Sequence, residues 1–105
     1  DLVKFGQAML ANKLIKAETR MAAWTMQPTS EGQQTGYGLG WGIMNDNGVK
    51  VVGHSGGQAG TSTMLIVHPE REVVVAVMCN LQSTPSRNLA TELFRRYLES
   101  DPAQQ

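Results

Sequence analysis

At 105 residues the chain holds one small domain with a modest core. Nine basic and nine acidic residues cancel, and no charge run exceeds Glu70-Arg71-Glu72, which argues against nucleic acid or an anionic membrane as a partner. The single cysteine, Cys79, excludes an internal disulfide, and the longest apolar run, Val73 to Cys79, is far short of the ~18 residues a membrane span needs.

The chain opens on Asp1-Leu2-Val3-Lys4-Phe5, which is already helical in pattern. With no initiator Met and no signal-peptide pattern ahead of it, we expect a piece of a longer protein. Asp1 is placed to cap a first helix whose apolar positions are Leu2, Phe5, Met9 and Leu10, ending at Asn12-Lys13. A short second helix is expected from Ala17 to Trp24, so residues 1–27 form a helical segment. Residues 28–36, rich in Pro, Ser, Thr, Gln and Gly, read as an exposed loop.

From residue 37 the period changes to two. Tyr37, Leu39, Trp41 and Ile43 then share one face of a strand, and Gly38, Gly40 and Gly42 share the other. Glycine weakens a strand, so three on one face imply close approach by a helix, another backbone or a ligand. Asn45-Asp46-Asn47-Gly48 is a hairpin signal, because these residues tolerate positive φ. Val49 to His54 returns as a strand that ends in a glycine turn, Gly56-Gly57. Thr61 to His68 forms the next, largely buried strand, with His68 a solvated strand end before the turn Pro69-Glu70-Arg71. Val73 to Met78 is apolar at every position and reads as a central strand covered on both faces.

Thr84 and Pro85 are placed as N-cap and first residue of a last helix, over 84–99, with Leu89, Ala90, Leu93, Phe94, Tyr97 and Leu98 as its apolar stripe. Asp101 to Gln105 is expected to fray. The fold class is therefore α+β. An antiparallel sheet of three to four strands spans residues 37–80, with N-terminal helices and a C-terminal helix packed on it. The whole makes a single, partial domain over 1–105. The last helix covers one face of the sheet. The other is expected to meet Leu2, Phe5 and Met9, and residues outside this chain.

The stretch with most chemical content is Val52-Gly53-His54-Ser55-Gly56-Gly57-Gln58-Ala59-Gly60, together with Tyr37-Gly38-Leu39-Gly40-Trp41-Gly42. His54, His68 and Cys79 lack metal-ligand spacing, so no metal is expected. The alternating glycines of 38–42 do not open a helix, so they make no phosphate loop. Cys79, at the end of an apolar strand with no basic neighbour, reads as an inert thiol. Trp24 reads as a packing residue. Trp41 reads either as packing or as lining a cleft.

Taken in order, Asp1 to Phe5, Tyr37 to Gly42, Gly53-His54-Ser55-Gly56-Gly57, His68-Pro69-Glu70 and Val73 to Asn80 resemble the C-terminal third of the serine β-lactamase and penicillin-binding-protein-like family, nearest its class C β-lactamase, D-aminopeptidase and esterase branch. The resemblance covers Asp1 to about Leu98 and implies part of an α/β/α sandwich. That family uses a Ser-x-x-Lys nucleophile, a Tyr-x-Asn or Ser-x-Asn element, and Lys-Thr-Gly, or His-Ser-Gly in this branch, on the strand lining the site. His54-Ser55-Gly56 matches the third element. No Ser-x-x-Lys occurs in the chain. Ser86-Arg87-Asn88 fits Ser-x-Asn in spacing but follows the third element, and we read it as coincidence.

What the resemblance implies is a serine hydrolase that forms an acyl-enzyme on β-lactams, D-amino-acid peptides or small esters. His54, Ser55 and Gly57 are its candidate catalytic residues. The Gly57 N–H would donate to the developing oxyanion, and His54 would act on the proton-relay groups. Ser55, Gly56, Gln58 and Trp41 are candidate substrate-binding residues, the strand from Ser55 to Gln58 pairing with an extended substrate. Gly60 would keep the next strand clear. Histidine rather than lysine at position 54 leans away from a dedicated β-lactamase. No cofactor is implied. The partner implied is the N-terminal part of the same enzyme, without which the chain is expected to be inactive. A periplasmic or extracellular location is also implied. The alternatives are a non-catalytic domain that binds a peptide or protein through its exposed strand face, and a self-associating domain.

Overall fold

A computed structural model describes residues 1–101, so the tail expected to fray lies, apart from Asp101, outside the described residues. The elements run α1 (Leu2–Leu10), α2 (Ala17–Ala23), β1 (Gly42–Asp46), β2 (Val49–Gln58), β3 (Thr61–His68), β4 (Val73–Cys79) and α3 (Ser86–Ser100). The strands form one antiparallel sheet in the order β1-β2-β3-β4. The α+β class and the helices flanking the sheet are as the sequence implies. Among the described residues no helix is long and apolar enough to cross a membrane.

Strand alternation divides the sheet into two faces and builds a core on each. Val52, Leu65 and Val67 pack with Met9, Ala23, Trp24 and Trp41 under α1 and α2. Val51, Met64 and Ile66 pack with Ala90 of α3 on the other face. The result is a three-layer helix-sheet-helix arrangement. Gly6 lets α1 lie close to the sheet, because a Cβ there would run into the Val74 side chain. Arg20 of α2 donates from Nη1 to the carbonyls of Met9 (3.2 Å) and Leu10 (2.6 Å), placing a cation on the C-terminal end of α1.

The β1–β2 hairpin follows its turn signal. Asn47 and Gly48 both take positive φ (53° and 86°), and the Gly48 N–H bonds Asn45 Oδ1 at 2.8 Å. Other expectations are corrected. Asp1 occupies the N-cap of α1, yet its side chain makes no capping bond. The α3 N-cap is Pro85, not Thr84, whose hydroxyl donates instead to the Leu81 carbonyl. In the α3 stripe only Ala90 and Phe94 are fully buried, whereas Leu89, Leu93 and Tyr97 stand exposed.

Three strand assignments also change. Residues 37–41 are not strand: the Gly38 N–H bonds the Trp41 carbonyl at 2.7 Å and closes a turn, with Gly40 at φ 80°. Gly56 and Gly57 are not turn residues but lie within β2, opposite Thr63 and Ser62, and the turn comes at Ala59-Gly60, where Gly60 takes φ 81°. β4 is an edge strand of this sheet rather than a central one. Its apolar sequence reflects helices on both faces, α1 on one and α3 on the other. A groove of about 480 Å³ runs along that edge between the helices, past Val3, Val73, Val75, Leu93 and Tyr97.

His68 is the sharpest reversal. Far from being solvated, it is 3% exposed and stacks on the Phe94 ring at 4.5 Å and 15°. Its Nδ1 accepts the Arg71 N–H at 3.4 Å, which requires the neutral ring. Burial, aided by the Arg71 charge, lowers its pKa from the ordinary 6.5, against an opposing pull from Asp46 and Glu70. The unfolded chain therefore takes the proton first as pH falls. Stability from this residue is whole above 6.5 and is lost as pH drops from there through the lowered folded value. The denaturant midpoint should fall as the pH is taken below 6.5. In His68→Gln that fall should be smaller. An equal fall in both proteins would show that another group carries the dependence.

Candidate functional site

The site grows from a mismatch in strand length. β1 pairs with β2 only as far as Gly42↔Gly53, whereas β3 continues opposite β2 to Gln58↔Thr61. Residues 54–58 of β2 therefore have one edge free of any strand.

Which backbone groups face that edge follows from one hydrogen bond. The Ile43 N–H donates to the Gly36 carbonyl at 2.9 Å, away from β2. Ile43↔Val52 is thus a non-hydrogen-bonded pair, and Gly42↔Gly53 a hydrogen-bonded one. Gly53 accordingly turns its N–H and C=O toward β1. By the alternation of an antiparallel ladder, Ser55 and Gly57 turn theirs to the same side, past the end of β1. Gly56 turns toward β3, and its carbonyl accepts the Thr63 Oγ1 hydroxyl at 3.2 Å. The Gly57 N–H thus stands on the open edge, free of the ladder.

His54, Ser55, Gly56, Gly57 and Gln58 are all exposed. Alternation puts the side chains of His54 and Ser55 on opposite faces: Ser55 with Met64 on the α3 face, His54 with Leu65 on the other. The His54 Nδ1 lies 2.6 Å from the Ser55 carbonyl. A carbonyl only accepts, so Nδ1 carries the hydrogen and Nε2 is left with the lone pair in the neutral ring. Trp41 is elsewhere. It is 8% exposed, stacked on Phe5 at 6.0 Å and set edge-on to Trp24 at 5.6 Å, and it packs the core instead of lining the site.

An open hollow of about 390 Å³ adjoins the strand end, lined by Gly36, Tyr37, Gly42, Met44, Gly53, His54, Ser55, Met64 and Arg87 among others. Among the described residues no acidic one lines it. The N-terminus of α3 is tied in beside it. Ser62, the partner of Gly57, donates from Oγ to the Thr84 carbonyl at 3.0 Å and lies 3.2 Å from Ser86 Oγ. Arg87 and the positive end of the α3 dipole therefore bias this corner toward negative charge.

Of the lining residues, Arg87 was missed in the sequence, and Tyr37 was singled out only within the stretch Tyr37 to Gly42 and not as a site residue of its own. Arg87 did carry a signal: a cation in the first turn of a helix opposes the dipole, and α3 has no acid there to offset it. Tyr37 looked like one more residue of an alternating strand. Ser86, from the set-aside Ser86-Arg87-Asn88, is buried and structural. Among the described residues no group of three or more His, Cys, Asp or Glu is placed to hold a metal.

Comparison with known proteins gives a consistent picture. A family model described as Beta-lactamase matches residues 1–98. The chain is 28% identical to the mitochondrial serine beta-lactamase-like protein LACTB of Bos taurus, over 89% of this chain and 24% of that protein. It is 27% identical to the human protein of the same name over the same shares. It is 30% identical to Penicillin-binding protein 4* of Bacillus subtilis (strain 168), over 76% of this chain and 18% of that one. The chain thus spans no more than 24% of the length of these relatives.

Proposed function

The chain belongs to the beta-lactamase family, and on that premise we propose that it forms one wall of a serine hydrolase that works through an acyl-enzyme. Its substrates would be β-lactams, D-amino-acid peptides or small esters. The observation that carries this reading is the Gly57 N–H on the unpaired edge of β2, beside His54 and Ser55 and free to meet a developing oxyanion. Ser55 and Arg87 offer a hydroxyl and a cation to a carbonyl or carboxylate of the substrate. The free edge of 55–58 receives the substrate as a short added strand.

The wall has no nucleophile of its own, because the chain contains no Ser-x-x-Lys. In this reading the reactive serine arrives on further polypeptide of the same enzyme. That polypeptide would extend the sheet along the β4 edge, where an apolar strand and the groove between α1 and α3 lie open, and would carry its serine round to the β1-side edge of β2 where the Gly57 N–H stands. The β4 edge is also what favours self-association as a second reading.

The test is hydrolysis of nitrocefin and p-nitrophenyl esters by the 105-residue chain alone and by a protein joining it to a Ser-x-x-Lys segment of the family. The chain alone should be inactive. The joined protein should turn over substrate, with a loss of about 100-fold in His54→Ala. Inactivity of every joined protein, with the chain alone running as a stable dimer, would favour self-association and remove the hydrolase reading.

A further inference from the structure

We propose that Tyr37 is the positioning residue for His54, fixing the imidazole so that Nε2 alone is available to hold or pass a proton. The inference rests on the reading of His54 as a proton-handling group of the site, and it adds to that site a residue from outside its strand.

His54 stands exposed where β2 has lost its β1 neighbour. An imidazole so placed is ordinarily free to turn. Here two contacts hold it. Nδ1–H donates to the Ser55 carbonyl at 2.6 Å, and the Tyr37 ring lies edge-on at 5.9 Å and 75°. The hydrogen bond alone fixes one nitrogen. The ring contact restricts rotation about it.

The Tyr37 ring suits this task because its backbone is pinned while its side chain is not needed by the core. The Tyr37 N–H donates to Thr35 Oγ1 at 3.2 Å, and its carbonyl accepts the Gln27 N–H at 2.8 Å. Tyr37 also bridges to Gly42, the first residue of β1. The residue is 41% exposed and is not part of either core cluster. Both rings line the same hollow, together with Ser55 and Arg87. What acts on His54 is the aromatic ring of Tyr37 and not its hydroxyl, so phenylalanine should replace it.

The test is the tautomer of His54, read from long-range ¹H–¹⁵N correlations of the labelled chain at about pH 8, where an ordinary imidazole is neutral. The chain has two histidines, and their hydrogen bonds demand opposite tautomers: Nδ1–H for His54, and Nδ1 as acceptor for His68. His68 is therefore an internal control for the fold. Tyr37→Phe should leave both patterns in place. Tyr37→Ala should move the two His54 nitrogen shifts toward a common average and leave His68 untouched. A His54 still locked in Tyr37→Ala overturns the proposal. If Tyr37→Ala disturbs His68 as well, the unaltered chain decides: cross-relaxation between the Tyr37 and His54 ring protons supports the proposal, and its absence overturns it. Because the readout is a tautomer, this outcome is independent of hydrolysis, which the His54→Ala assay tests separately.

Discussion

Gly38→Ala should lower the stability of the chain by about 3 kcal/mol or more, a large part of the ~5–15 kcal/mol that holds a small domain folded. A Cβ at Gly38 would fall inside the van der Waals envelope of the Ala23 carbonyl oxygen, with the Thr25 carbonyl oxygen a further 3.1 Å contact. Both obstacles are backbone and cannot rotate away. The Ala23 oxygen is also fixed by the Leu39 N–H at 2.9 Å, and the Gly38 N–H by the Trp41 carbonyl at 2.7 Å. Relief therefore means separating the 38–41 turn from the end of α2, and with it Trp41 from Trp24. Gly40→Ala is the control. Its φ of 80° strains any side chain, yet nothing lies within 4 Å of the added carbon, so about 1–2 kcal/mol is expected. Urea midpoints of the two variants separate the cases. Equal losses would mean that backbone conformation, and not the approach of Ala23, explains Gly38.

That result would also explain why residues 37–42 misled as a sequence. Alternating glycines on one face of a strand seemed to ask for a single cause. The structure supplies three: Gly38 for a close backbone approach, Gly40 for a left-handed turn, and Gly42 opposite Gly53 in the ladder. Period two in a glycine-rich stretch was here an accident of separate constraints. The Asn47-Gly48 hairpin, by contrast, was legible because its cause is local: two residues at positive φ and one side-chain bond to Asn45.

Where the cause was tertiary, the sequence was silent or misread. An all-apolar strand reports that both faces are covered and says nothing about its edges, so β4 read as central although only β3 pairs with it in this sheet. His68, beside Pro69, carried every local mark of solvation. Phe94, 26 residues later, buries it. The site shows the same division. His54, Ser55 and Gly57 were legible as a motif on one strand. Tyr37 and Arg87 come to them from a turn and a helix, and only the register of β1 against β2 reveals that the Gly57 N–H faces outward.

That orientation gives the prediction with the largest expected effect on activity. In a hydrolytically active protein containing this segment, Gly57→Pro should lower kcat by about 10²–10³ while leaving stability nearly unchanged. Proline deletes the outward N–H, the proposed oxyanion donor. It breaks no ladder bond, because that edge of β2 has no partner strand at 57. Gly56→Pro should do the reverse. Its N–H faces β3 opposite Thr63, so the ladder is broken and about 3 kcal/mol of stability is lost. Gly57→Ala separates donor loss from added bulk: its Cβ would meet only the Thr61 carbonyl oxygen, at 3.9 Å, and turnover should stay near normal. The three variants are compared by kcat and denaturation midpoint. Full turnover in Gly57→Pro would remove Gly57 from the chemistry. Equal loss of turnover in Gly57→Ala and Gly57→Pro would assign the effect to crowding of the free edge instead of to the missing hydrogen bond.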